Sequence, residues 1–307
     1  MSTYGAGIAH VGHIELVTPR IDASVEFFTG VLGMTQVGEE GDSVYLRGYG
    51  DYQRACLKLT AGSQAALGHL ALRTHDRDAL EALASTIPNG EWNEGDIGHG
   101  AAYRFQDPDG HRLELYFDVD RYEAPAWEAP PAKNEYQRRG GVGVGVKRLD
   151  HVNLFCADVA KNRAFAESTL GYRTLDLIVD DDEAEIGAFM TRTIAPLELI
   201  YTCDLAGRSG LLHHTAFWVD TREEVLRAAD ILSGHGIAIE VPPAQHTIGR
   251  SFFVYAFEPG GHRIEVTTGA DFVYEPDATT RIWTAAERGA GVGWGTKFPS
   301  TWTTHGT

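Results

Sequence analysis

The sequence predicts an α+β fold of four βαβββ modules, paired into two domains. Three observations carry this reading. Four segments share one pattern: HIELVTPRIDASVEFFTGVLGM from His13, HLALRTHDRDALEALASTI from His69, HVNLFCADVAKNRAFAESTLGY from His151 and HTAFWVDTREEVLRAADILSGHGI from His214. Each reads as a short alternating strand, a turn and an amphipathic helix. Further strand-like stretches follow each helix, among them DSVYLRGYG, AAYRFQD, AFMTRTIAPLELIYT and FFVYAFEPGG. The length of 307 residues accommodates about two domains at ~150 residues each.

The elements follow in order. In the first helix Val25, Phe28, Val31 and Leu32 recur at helical spacing, with Asp22 or Ser24 as the expected cap and Gly33 as the stop. In the fourth helix Val225, Ala228, Ala229 and Leu232 repeat the pattern. Residues 121–146 are rich in Pro and Gly without sustained periodicity and read as a linker between domains at 1–120 and 147–270. Residues 271–307 hold Trp283, Trp294 and Trp302 and read as an irregular tail or lid over the second domain. Two glycine strings, GGVGVGVK at 140–147 and GVGWGTK at 291–297, lack the strand–GxxxxGK[ST]–helix context of a phosphate loop.

Composition narrows the function classes. A net charge of −17 disfavours nucleic acid and anionic membrane partners. No run approaches the ~18 apolar residues of a membrane span, and no charged, apolar leader pattern is expected at the N-terminus. Cys56, Cys156 and Cys203 are odd in number and widely spaced, which argues against disulfides and fits a cytoplasmic location.

The 13 histidines are placed rather than scattered. His13, His69, His151 and His214 occupy one position of the four modules, so period-2 alternation points them the same way. A single strand histidine is usually a satisfied core residue; four on matching positions are not explained so simply. The last strand of each module has its own marked position, with Lys58, Glu114, Glu198 and Glu265 aligned there. Two histidines and a carboxylate from three strands are what a facial-triad Fe(II) site requires, with coordination positions left open.

With these residues in view, the chain resembles the type I extradiol ring-cleaving dioxygenases of the vicinal oxygen chelate superfamily. The resemblance covers nearly the whole chain and is most specific at AQHTIGRSFFVYAFEPGGHRIE, with Ala244 a mild departure. It implies a glyoxalase-like fold, with His151, His214 and Glu265 as ligands of Fe(II), and Mn(II) as the alternative. It also implies that His246 and Tyr255 hydrogen-bond the substrate oxygens, with His246 the acid–base group; Asn153, two residues past His151 on the same face, is expected to line the cup. His213, adjacent to His214 on the strand, is expected to point away as a structural histidine, with an outer-shell role as the alternative. The implied reaction inserts both atoms of O2 into an aromatic vicinal diol and opens the ring beside the diol, giving a muconic semialdehyde-type product. A homo-oligomer, a tetramer by family, is implied as well.

Two departures accompany the resemblance. The first domain keeps His13, His69 and Glu114, but the counts that lead from Glu265 to His246 and Tyr255 lead from Glu114 to Gly95 and Arg104. It therefore reads as a degenerate copy in which Lys58 pairs with Glu114. The family's additional histidine, on the strand before the second ligand, has no counterpart between His151 and His213. Glu198 is the candidate to share its proton-handling role with His246, and a solvated strand-end carboxylate is the plain alternative. Three other functions stay open: a glyoxalase-like isomerase or resistance protein, a non-catalytic aromatic binder, and a cleaver of hydroquinones or aminophenols.

Overall fold

The computed structural model describes residues 7–288, 294–295 and 297–307. Part of the second glycine string (291–293 and 296) and of the N-terminal stretch read for a leader (1–6) lies outside the described residues. Four βαβββ modules are present. The first contains β1 (Ile8–Thr18), α1 (Ile21–Glu26), β2 (Thr35–Glu40), β3 (Ser43–Arg47) and β4 (Leu57–Ala61). The second contains β5 (Ala66–Thr74), α2 (Arg77–Thr86), β6 (Glu91–Asn93), β7 (Ala102–Gln106) and β8 (Arg112–Tyr116). The third contains β9 (Arg148–Cys156), α3 (Val159–Ser168), β10 (Arg173–Val179), β11 (Glu185–Thr191) and β12 (Leu199–Cys203). The fourth contains β13 (Leu211–Trp218), α4 (Arg222–Gly234), β14 (Ile239–Gln245), β15 (Phe252–Phe257) and β16 (Arg263–Thr268).

Each half is one sheet. The orders are β2-β3-β4-β1-β5-β8-β7-β6 and β14-β15-β16-β13-β9-β12-β11-β10, and the second gains an edge strand, β17 (Arg281–Trp283). The first strands of paired modules lie antiparallel at the centre, each flanked by the parallel last strand of its own module. Apolar residues of both halves form one continuous core.

Local chemistry explains most boundaries. Thr221 and Glu224 form a capping box at the start of α4, and Val225, Ala228 and Leu232 are its buried face. Gly33 has φ +73°, and a Cβ there would meet the Val142 carbonyl at 2.4 Å, so it ends the first helix and receives the linker. The first glycine string is a packed connector, with Val144 donating to the Val31 carbonyl and both Val144 and Val146 fully buried.

Three expectations are corrected. Neither Asp22 nor Ser24 caps α1, which starts at Ile21 without a side-chain cap and continues as a wider turn over Phe27–Val31. Ser24 instead donates to Glu258 at 2.7 Å, across the two halves. The tail is not wholly irregular: β17 runs parallel to β10, and buried Asp176 accepts from Arg281 and from Trp283 Nε1. Of the tail tryptophans, Trp294 is 60% exposed rather than covered.

The halves clasp each other reciprocally. His111 Nε2 donates to the Phe155 carbonyl on β9 at 2.8 Å, and His262 Nε2 donates to the Val17 carbonyl on β1 at 2.9 Å. Val17 and Phe155 hold the same repeat position, four residues past His13 and His151. His111 Nδ1 is held by Asp107 at 2.7 Å. Burial opposes a charge on His111, but Asp107 outweighs it and raises the pKa above the usual 6.5. Stability from this pair is therefore full below pH 6.5 and is lost as pH climbs through the raised value. His111→Ala is expected to cost about 2–3 kcal/mol at pH 6 and less at pH 9, by denaturant melts at both values. An equal loss at both would contradict the charged pair.

Candidate metal centre

The register of three strands builds the site. His151 on β9 lies opposite Ala216 on β13, and Ala216 lies beside Glu265 on β16. His214 stands two residues before Ala216, on the same face, with a bulge between Leu212 and His214. His151 Nε2, His214 Nε2 and Glu265 Oε2 are consequently 3.0–3.2 Å apart, in the buried floor of the second half. Ala216 is fully buried in this row, paired with His151 on one side and Glu265 on the other. The pairs His69–Ala71 and His214–Ala216 were a visible signal that the sequence reading did not use.

Outer hydrogen bonds turn both imidazoles toward the centre. His151 Nδ1 donates to Asp150 at 2.9 Å. His214 Nδ1 meets His213 Nδ1 at 2.7 Å, while His213 Nε2 donates to the Trp302 carbonyl at 2.9 Å. His213 points away from the cup as expected, and it also fixes the tautomer of His214. The Nε2 lone pairs thus face a carboxylate whose two oxygens lack a well-formed hydrogen bond. Such a set calls for a cation, and the donors fit a divalent metal.

Without metal, a proton serves. Burial lowers the pKa of His151, but Glu265 and Asp150 overcome it and push it up to about 9. Burial takes His214 down to about 4. Burial also disfavours the Glu265 charge, yet the imidazoles hold its carboxyl well below the usual range. Metal and the His151 proton compete for one place.

Above this floor lies a cavity of about 380 Å³. Its walls are apolar, including Ile178, Ile186, Phe189, Ile200 and Ile248, and the tail contributes Phe298 and Trp302. Among its described lining residues none is Arg or Lys. Three groups predicted from sequence meet here: His246, Tyr255 and Asn153 line the cavity beside the His151–His214–Glu265 cluster, and His246 Nε2 is 3.0 Å from the Tyr255 hydroxyl. Phe253 and Phe298 stack on the His246 ring. Burial lowers His246 to about 4, so the imidazole is neutral near pH 7. Burial and Glu265 raise the Tyr255 phenol well above its ordinary value, so it stays a donor. Thr202 Oγ1 donates to Asn153 Oδ1 at 2.9 Å, which leaves the Asn153 amide N–H for the cavity.

Comparison with known proteins decides the family. The Glyoxalase/Bleomycin resistance protein/Dioxygenase superfamily profile matches residues 10–115 and 148–266. A metapyrocatechase of Geobacillus stearothermophilus is 36% identical over 98% of this chain and 94% of that protein. A manganese-dependent 2,3-dihydroxybiphenyl 1,2-dioxygenase of Geobacillus genomosp. 3 is 33% identical over 94% of each. The homoprotocatechuate 2,3-dioxygenase of Brevibacterium fuscum, solved with 3,4-dihydroxyphenylacetate, superposes with a TM-score of 0.87 at 26% identity, covering 100% of this chain and 95% of that one. The chain belongs to the extradiol dioxygenases of this superfamily.

For an extradiol dioxygenase, two expectations need correcting. Glu198 does not line the cavity; its carboxylate accepts from Thr191 Oγ1 and from the backbone N–H groups of Arg192 and Thr193, closing the turn before β12. It is buried rather than solvated, and burial raises its pKa. The repeat alignment was two residues off: Asn153 pairs with Ile200 as Ala216 pairs with Glu265. Ile200 is thus the third-module counterpart of Glu265, and it faces the cavity without a proton to give. In the first half, Lys58 pairs with Asp96 and Glu15, not with Glu114.

A proton-handling group is worth about 10²–10⁴ in rate. Glu198→Gln is expected to hold kcat within ~3-fold while lowering the melting temperature; a hundredfold loss of kcat would return Glu198 to the chemistry. Metal uptake by stripped protein at pH 7 is expected to release one proton per site. Its apparent affinity should weaken about tenfold per unit as pH falls from 8 to 6, because protonated His151 cannot bind; calorimetry in two buffers reads both.

Proposed function

We propose that this extradiol dioxygenase cleaves the ring of an uncharged, apolar-substituted catechol beside the diol, using Fe(II) held by His151, His214 and Glu265. The observation that carries the reading is the convergence of these three ligands at the floor of an apolar cavity beside His246, Tyr255 and Asn153. One O2 is consumed per diol and both its atoms enter the muconic semialdehyde-type product. A metal held by these residues would bind the diol and O2 and would lower the pKa of the hydroxyls it contacts.

The protein groups divide the remaining work. Neutral His246 accepts a diol proton at Nε2 and returns it to a substrate-derived oxygen, its ring orientation fixed between Phe253 and Phe298. Tyr255, kept protonated by its surroundings, donates to the other diol oxygen. Asn153 offers a second donor. With Ile200 at the neighbouring strand position, His246 is the cavity-lining group suited to acid–base work, 3.9 Å from Glu265 Oε1. Phe298 and Trp302 cover the cup and exclude water from it.

The substrate class follows from the walls. Among the described lining residues a ring carboxylate would meet no cationic partner, and Glu287 is one of them. Protein reconstituted anaerobically with Fe²⁺ or Mn²⁺ is to be assayed for O2 uptake and yellow product on a panel of catechols. Alkyl- and arylcatechols are expected to exceed dihydroxybenzoates in kcat/KM by at least ~10-fold, the equivalent of about 1.4 kcal/mol. His246→Ala should lose about 10²–10⁴ in kcat with metal retained. Turnover without O2 uptake would establish an isomerase instead, and higher activity with Mn²⁺ would overturn the choice of iron.

A further inference from the structure

The first half holds a second cluster of ligand atoms. His13 Nε2 and His69 Nε2 lie 3.0 Å apart, and each faces Glu114 Oε1, at 3.6 and 3.8 Å. A residue that sequence counting missed completes the set: His99 Nε2 stands 3.5 Å from the same oxygen. His99 belongs to the β6–β7 connection, as His246 belongs to the β14–β15 connection. The two connections, 94–101 and 246–251, differ in length, so a fixed count back from the glutamate reached Gly95 instead.

The hydrogen-bonding of this cluster leaves its centre without a cation. His69 Nδ1 donates to Glu15 at 2.8 Å and His99 Nδ1 donates to the Gly100 carbonyl at 2.9 Å, so their Nε2 atoms carry lone pairs. Arg104 and Asn93 occupy Glu114 Oε2, leaving Oε1 for the centre. His99 Nε2 and Glu114 Oε1 are both buried without a hydrogen-bond partner, with side chains 4% and 0% exposed. In a tetrahedral zinc site with bonds of about 2.0–2.2 Å, ligand atoms lie roughly 3.3–3.5 Å apart. Four of the contacts among these atoms are 3.0–3.8 Å, and the ligand atoms of His13, His99 and Glu114 all lie within 4.8 Å of one another, with His69 beside His13.

We propose that His13, His69, His99 and Glu114 form a second metal site, closed and non-catalytic, that takes Zn²⁺. His13, His99 and Glu114 supply three ligands, and His69 Nε2, 3.0 Å from His13 and 3.8 Å from Glu114, closes the shell as the fourth, with no position for substrate. The surroundings agree. The adjoining cavity is about 10 Å³, the size of one water, and Lys58, tied to Asp96, stands at its edge. A catechol does not fit. The metal would tie β1, β5, β8 and the 94–101 connection together, so its effect is on stability.

The test uses the full chain, stripped with chelator, titrated with Zn²⁺ and desalted before metal analysis. Wild type is expected to retain two equivalents, Glu265→Gln one, and Glu265→Gln/His99→Ala none. Zn²⁺ should raise the melting temperature of Glu265→Gln, and the added His99→Ala should weaken binding by more than ~10-fold and remove that shift. Co²⁺ bound to Glu265→Gln should show the intense visible bands of a tetrahedral site. If a double variant fails to fold, wild-type uptake still decides. One equivalent in wild type, or a zinc shift that persists without His99, overturns the proposal.

Discussion

Everything at both clusters depends on how the first strands of paired modules meet. β1 with β5, and β9 with β13, are antiparallel at the centre of each sheet, and each pairing carries irregularities of register. His13 comes opposite Ala71 and His151 opposite Ala216, so the partner histidine, two residues earlier on the same face, leans across the strand boundary. The parallel last strand then delivers a glutamate beside the alanine. Backbone hydrogen bonding thereby brings together side chains 63 residues apart in sequence, with an alanine recurring at the centre of each row.

From that shared frame the halves diverge by a few substitutions at equivalent positions. Tyr255 and Arg104 pair identically with Glu265 and Glu114, but the phenol leaves the second carboxylate available while the guanidinium occupies one oxygen of the first. Asn153 and Ile200 line an open cavity, whereas their counterparts Glu15 and Lys58 pair with each other. The result is about 380 Å³ of space above one cluster and about 10 Å³ beside the other. Openness, rather than the identity of the clustered side chains, is what distinguishes the two halves.

The fold was legible because the repeat is legible: a marked histidine, a strand period of two and an amphipathic helix recur four times. His151, His214, Glu265, His246 and Tyr255 were legible for the same reason, with the family signature adding the last two. Failure came where periodicity has no anchor. Alternation assigns Glu198 a face only if the start of β12 is known, and that strand begins at Leu199, so the carboxylate serves the preceding turn. His99 was hidden by loop length. β17, at three residues, is too short for any period, and its pairing rests on the Asp176 carboxylate rather than on pattern.

The tail shows that covering the site and building it are one physical task. Arg263, beside the Glu265 strand position, donates to the carbonyls of Thr301 and His305 and to that of His213. Trp302 offers its carbonyl to His213, which holds His214, while its ring packs on Tyr255 and Phe298. Thr307 exchanges backbone hydrogen bonds with Leu212, at the bulge that turns His214 inward. The same segment therefore walls off solvent and fixes the tautomer of His214. A tail displaced from its seat would leave the His213 N–H without its acceptor and free His214 to rotate, so exclusion of water and integrity of the metal centre are coupled through two neighbouring histidines.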